Sequence, residues 1–216
     1  MKADFCITHF FNPVRFMRLL EIVETPTMNK DKMGGLREFC KNELGKGIVN
    51  CNDTPGFIGN RIGVYAMQVA MYEGLERGLP VEIADALFGR PLGIPKTGVF
   101  GLYDLIGIDL MKDVLASFKK ELQENDPFMD VVKPHPLVEQ LLEKGFNGNK
   151  GPGGFYQTTI VEGDEHVKAM NTSDMSYYDF DKVDLEIARR VEREGIKALL
   201  DDDSDYGRYA FAVLAK

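Results

Sequence analysis

The 216-residue chain has no tryptophan, no detectable short repeat and only three cysteines, Cys6, Cys40 and Cys51. Without a repeat, solenoid and array architectures are excluded. Three cysteines cannot all pair, and theirs show no metal-binding spacing, so a reducing, intracellular compartment fits best and a cytoplasmic location is expected. No apolar run approaches the roughly 20 residues that cross a bilayer. The first residues hold an acid, Asp4, and no long apolar core, so they do not form a signal peptide. Acidic residues outnumber basic ones, 34 to 26. The formal net charge of -8 argues against broad nucleic-acid binding, which needs a basic face. An anionic small molecule is still compatible, because a few local lysines or a helix N-terminus can hold a phosphate. What remains, 44% hydrophobic and 28% charged residues, is the composition of a globular protein rather than a disordered one.

The opening 52 residues read as α/β. Residues 3–11 are rich in aromatic and β-leaning side chains and predict a strand that ends at Asn12-Pro13. A second strand is expected over 18–25, stopped by Pro26. Residues 28–44 predict a helix with Leu36, Phe39, Cys40 and Leu44 inward, closed by Gly45, and residues 47–51 a short strand. At 53–57 the character changes. Thr54 reads as an N-cap and Pro55 as the first helical residue. Ile58, Ile62, Tyr65, Val69 and Tyr72 then recur at helical spacing, and Phe57, Val64, Met67, Met71 and Leu75 cover much of the remaining circumference, which predicts a buried central helix.

Further helical patterns span 81–88, 101–106, 110–122 and 136–144, with Gly/Pro linkers between them, so the middle of the chain reads as all-α. Residues 145–156 form a glycine-rich loop, 157–180 are polar and irregular with at most a weak hairpin, and 184–200 predict a charged amphipathic helix. An acidic break at 201–205 precedes a last helix. The expected division is 1–52, 53–157 and 158–216.

Two polar residues interrupt the apolar strand-like runs. His9 lies in His9-Phe10-Phe11-Asn12-Pro13, and Glu21 in Leu20-Glu21-Ile22-Val23. Pro13 forces a turn between the runs, so they can lie side by side. The carboxylate would then fix the imidazole tautomer and stabilise the imidazolium formed when His9 takes a proton. The residues alone allow a plainer account, in which His9 is a hydrogen-bonded strand-end histidine and Glu21 an outward-facing strand residue.

Four stretches in order resemble the 3-hydroxyacyl-CoA dehydrogenase family: the His9–Val23 region, Asp53-Thr54-Pro55-Gly56-Phe57-Ile58-Gly59-Asn60-Arg61, residues 93–109, and residues 148–156, which end in Gly153-Gly154-Phe155-Tyr156. The resemblance implies a mainly α fold, with a helical domain like the C-terminal domain of 6-phosphogluconate dehydrogenases preceded by the last strands of a Rossmann domain. It implies NAD-dependent oxidation of L-3-hydroxyacyl-CoA to 3-oxoacyl-CoA in fatty-acid β-oxidation. His9 would be the catalytic base, Glu21 its acidic partner and Asn60 a substrate-positioning residue, while Asn12 and Lys150 would contact NAD. On their own these three have plainer readings: Asn60 as a cap, Asn12 as a turn residue before proline, Lys150 as a solvated charge.

The resemblance also marks departures. The family's Gly-x-Gly-x-x-Gly turn, which holds the NAD pyrophosphate, is not found in a strand-to-helix context, nor is the family's active-site serine upstream of the histidine. The tail around Asp205-Tyr206-Gly207-Arg208 resembles the link into a second helical unit of longer multifunctional enzymes. The chain is therefore expected to be part of a longer parent, inactive alone, with acyl-CoA as substrate and a homodimer formed through the helical domain. The rival reading is a non-catalytic helical dimerisation module. The first 25 residues are expected to be disordered, rearranged or paired with another chain, because shortened sheets leave open edges.

Overall fold

The computed structural model describes residues 4–92, 94, 96–181, 183 and 185–216, the side chains of Arg90 and Glu192 excepted. Ala3 of the first expected strand, Gly93 and Pro95 of the motif at 93–109, and Asp184 of the expected helix at 184–200 lie outside the described residues. The chain divides into two compact units, 1–64 and 65–216.

The first unit contains strands β1 (Cys6–Phe10), β2 (Leu19–Glu24) and β3 (Gly47–Cys51), with helix α1 (Lys30–Asn42) between the last two. The sheet order is β1-β2-β3, antiparallel between β1 and β2 and parallel between β2 and β3. Alternation along β2 explains the core. Leu20 and Ile22 are fully buried and pack with Met28, Met33 and Cys40, while Glu21 lies between them in sequence and faces the other way. Met33 and Cys40, seven residues apart, lie on one face of α1. The Asn29 side chain accepts from the N–H groups of Asp31 and Lys32 and so caps the helix start.

Three expectations for this unit need correction. Phe39 and Leu44 are exposed, at 52% and 43%, because α1 turns Met33, Leu36 and Cys40 to the sheet and Leu44 lies beyond the helix end, where Gly45 adopts a positive φ. The strands at 6–10 and 19–24 are not disordered, since β1 and β2 pair in register within this chain and α1 contributes to the core beside β2. The next helix, α2 (Gly59–Glu76), starts four residues later than Pro55, because Gly56 (φ 72°) and Phe57 (φ 48°) are left-handed and interrupt any earlier helical run. Its buried residues run from Met67 to Gly74, whereas Ile58 and Ile62 are exposed.

In the second unit α3 (Val81–Leu87), α4 (Phe100–Ile106), α5 (Ile108–Glu121) and α6 (Pro136–Glu143) follow the apolar periodicity within a residue or two. Phe100 and Phe155 meet edge to face at 4.7 Å in its core. The polar stretch is better ordered than expected. It forms an antiparallel sheet, β4 (Tyr156–Val161), β5 (Asp164–Met170) and β6 (Tyr177–Asp179), in that order. The two-residue turn Glu162-Gly163, both at positive φ, joins β4 to β5. Most of β4 and β5 is exposed, with burial confined to Ala169 and Met170, which is why no alternation stands out in the sequence. The expected helix at 184–200 is two, α7 (Glu186–Glu194) and α8 (Lys197–Leu200), separated at Gly195 (φ 79°). Ser204 caps α9 (Asp205–Leu214), which docks on the second half of α2 through Tyr209 Oη donating to the Ala70 carbonyl and Lys216 Nζ pairing with Glu73 at 2.6 Å.

Candidate active site

The cross-strand register of β1 and β2 sets His9 directly opposite Glu21. Their side chains meet, with His9 Nδ1 2.6 Å from Glu21 Oε2. Nδ1–H donates to the carboxylate, so the other ring nitrogen, Nε2, is the acceptor. The two environments differ. The Glu21 side chain is 1% exposed and the His9 side chain 28%, so the base reaches solvent while the acid does not.

A buried carboxylate needs further donors, and the start of α2 supplies them. Glu21 Oε1 accepts from the backbone N–H groups of Ile58, at 3.0 Å, and Gly59, at 2.6 Å. The left-handed Gly56-Phe57 pair reverses the chain just before the helix, which lets two successive N–H groups converge on one oxygen. No acid stands in the first turn of α2; Glu21 fills that place from the neighbouring strand, where the helix dipole favours negative charge. Burial pushes the Glu21 carboxyl up. The hydrogen bonds from His9, Gly59, Ile58 and the Cys51 thiol outweigh it and hold the group below the usual carboxylate range. The Cys51 thiol is raised in turn, first by burial and then by the Glu21 charge.

Two aromatic rings flank the imidazole, Phe11 at 4.7 Å and Phe57 at 5.7 Å between centroids. Gly59 is required here, since a Cβ at this position would come within 2.4 Å of the Phe11 ring. Asn60 follows Gly59 directly and is exposed on the first turn of α2. Asn12, exposed, lies two residues beyond the end of β1 and is joined to Pro13 by a cis peptide bond. The structure thus groups His9, Glu21, Asn12 and Asn60 in the first unit, and of these it joins His9 to Glu21 directly.

Lys150 belongs to the second unit. Its ammonium lies 3.7 Å from Asp109 and close over Gly107, both at the start of α5. Its loop is held by a buried residue the sequence reading passed over, Asp104. The two carboxylate oxygens accept from Phe155 N–H at 3.0 Å and Tyr156 N–H at 2.7 Å. Gly148 and Gly154 pack so tightly on Asp104 that a Cβ at either would collide with it. Asp85 works in parallel, accepting from the N–H groups of Phe100 and Gly101 at the start of α4 and from the Tyr156 hydroxyl. Burial raises both aspartates to about 7, against the opposing pull of these hydrogen bonds. Residue spacing gave no signal for this lock, because an aspartate inside a helical pattern reads as solvated until the glycines are seen to close on it.

Comparison with known proteins bears on the site. The model of the 3-hydroxyacyl-CoA dehydrogenase C-terminal domain matches residues 56–158, and that of the NAD binding domain of the same family matches residues 1–54. The chain belongs to the 3-hydroxyacyl-CoA dehydrogenase family. It is 35% identical, over its whole length, to a Rickettsia prowazekii protein provisionally named the trifunctional enzyme of a fatty acid oxidation complex, and covers 29% of that protein. The chain thus spans less than a third of the length of that relative. A solved 3-hydroxybutyryl-CoA dehydrogenase from Escherichia coli shares 32% identity with a TM-score of 0.58 over 69% of this chain and 30% of that one. The dehydrogenase part of a multifunctional enzyme from Caenorhabditis elegans, 16% identical, covers 98% of the chain and 48% of its own at a TM-score of 0.52, a likeness of fold. Among the described residues of this chain helices predominate beside two three-stranded sheets. Among the described residues no helix is long and apolar enough to cross a membrane.

Proposed function

We propose that the chain supplies the base and the substrate-positioning face of an NAD-dependent 3-hydroxyacyl-CoA dehydrogenase acting in fatty-acid β-oxidation. The observation that carries this reading is the His9–Glu21 pair, a part-exposed imidazole locked at 2.6 Å to a buried, helix-capped carboxylate. His9 Nε2 takes the proton of the substrate's 3-hydroxyl, while the Nδ1–H bond to Glu21 fixes the tautomer and stabilises the resulting imidazolium. Asn60 holds the substrate oxygen near the imidazole, and the Phe11 and Phe57 rings shield the ring faces from water. NAD, when bound, supplies the hydride acceptor. Asn12 and Lys150 would hold it, and both are exposed polar groups suited to contact its amide and phosphates. The two connections from strand to helix in the first unit, 25–29 and 52–58, do not contain a Gly-x-Gly-x-x-Gly turn among the described residues, so a pyrophosphate cradle must come from elsewhere in the active polypeptide.

On this reading residues 1–52 belong to the cofactor domain, 53–157 form a helical domain like that of 6-phosphogluconate dehydrogenases, and 158–216 are a linker and the start of a second helical unit. The protein works in the cytoplasm on acyl-CoA. It forms a homodimer through the helical domain, where Leu105 and Leu110 are exposed. NADH oxidation with acetoacetyl-CoA tests the activity, on the chain alone and on the chain joined to the N-terminal part of the E. coli enzyme's NAD binding domain. Turnover is expected in the joined protein and is lost in His9→Ala. A folded joined protein that turns over equally well with His9→Ala would sink the assignment of the base.

A further inference from the structure

The second unit holds an apolar cavity of about 170 Å³ between α2, α5, α6 and the stretch leading into α6. Met71 and Ile108 form its buried floor, with Leu115, Val138 and Leu142 along the walls. Apart from three lysines and Glu139, the polar side chains at its lining have partners. Gln68 accepts from the Tyr103 hydroxyl and donates to the Val131 carbonyl at 3.0 Å. His135 Nδ1 accepts from Leu137 N–H at 3.2 Å, and Nε2 points to Glu76 at 3.9 Å. What enters the cavity therefore meets apolar surface.

The rim has the opposite character. Lys112 and Lys119, one above the other on α5, and Lys133 before α6 border the opening and are exposed. Among the described residues none of the three ammonium groups forms an ion pair. Glu139 is the one acid in the lining. In a chain of net charge -8, three unpaired cations around an apolar hole are a local inversion of charge.

We propose that this cavity binds an amphipathic anion, its alkyl body in the hole and its charged head at the lysines. A cavity of about 150 Å³ takes a benzene ring, so the body that fits has about six to eight carbons. A free fatty acid and an acyl thioester with phosphates on its carrier share this chemistry. The site lies within the second unit and does not depend on His9.

The test follows the methyl signal of Met71 in the 216-residue chain by NMR during titration with butyrate, hexanoate, octanoate, octanol, coenzyme A and octanoyl-CoA. A saturable shift is expected, with affinity rising about fourfold per added methylene until the cavity is full. Replacing Lys112, Lys119 and Lys133 together with glutamine is expected to weaken octanoate about tenfold and to leave octanol unchanged. Ala116→Phe, at an exposed position of α5 that lines the cavity, is expected to abolish both. Octanoate binding more tightly than octanoyl-CoA assigns the site to free acids, and the reverse order, with coenzyme A alone silent, assigns it to thioesters. The proposal is overturned if Met71 shows no saturable shift, or if the triple lysine variant binds octanoate as well as the unmodified chain does.

Discussion

Glu21 accepts two kinds of donor on two oxygens: an imidazole N–H and two backbone N–H groups. A glutamine there keeps the shape and one acceptor but loses the charge that faces His9. Glu21→Gln is expected to cost about 1.5–3 kcal/mol of stability in urea denaturation, as for hydrogen bonds to a charged group. It should lower turnover of the joined protein by about 10²–10⁴-fold. The sign of the pH effect follows from the lowered carboxyl. The folded state releases this proton at lower pH than the unfolded chain, so the stabilisation is present above the usual carboxylate range and fades as pH falls through it. An acid-side stability profile identical in the variant and the unmodified chain would contradict this. His9 and Glu21 were legible in the sequence because each is a polar residue inside an apolar strand. The clamp from Ile58 and Gly59 was not, since it is made of backbone groups and depends on a left-handed Phe57 that spacing does not reveal.

At the scale of elements, the glycine loop before β4 and helix α4 are fastened together by Asp104. Asp104→Asn can accept only one of the two N–H groups and is expected to cost about 1–3 kcal/mol. The unfolded chain loses this proton near the ordinary aspartate value, whereas the folded chain keeps it to about 7. The folded state thus binds more protons in that window, and the contribution of Asp104 is lost as pH rises through it. Urea denaturation at pH 5 and pH 8 should therefore show a smaller gap between the unmodified chain and the variant at the higher pH. A constant gap would count against the raised aspartate. Helices α3 to α6 were readable because each buries one stripe against neighbours. The β4–β6 sheet was not, because its strands expose both faces over most of their length, and only Glu162-Gly163 marked the turn. The split of α7 from α8 depends on Gly195 at positive φ, which a charged amphipathic pattern conceals.

At the scale of the whole molecule, Leu105 and Leu110 are exposed on the second unit, and on the proposed reading a symmetric pair of chains covers them. Sedimentation is expected to give twice the 24.3 kDa chain mass, and Leu105→Asp to return the monomer. A monomeric unmodified chain at tens of micromolar would remove the dimer from the account. The family was legible from motifs spread along the chain, since they occupy both matched regions, 1–54 and 56–158.

The sharing of Glu21 between a histidine and a helix start has an electrostatic consequence. With His9 neutral, the pair carries one net negative charge, which faces the partial positive end of α2. When His9 accepts a proton, the pair becomes neutral as a whole, and its field beyond the two side chains shrinks to that of a dipole. Proton uptake thus discharges this pocket, and the desolvation cost that usually opposes a new charge in a low-dielectric setting acts here on the resting state instead.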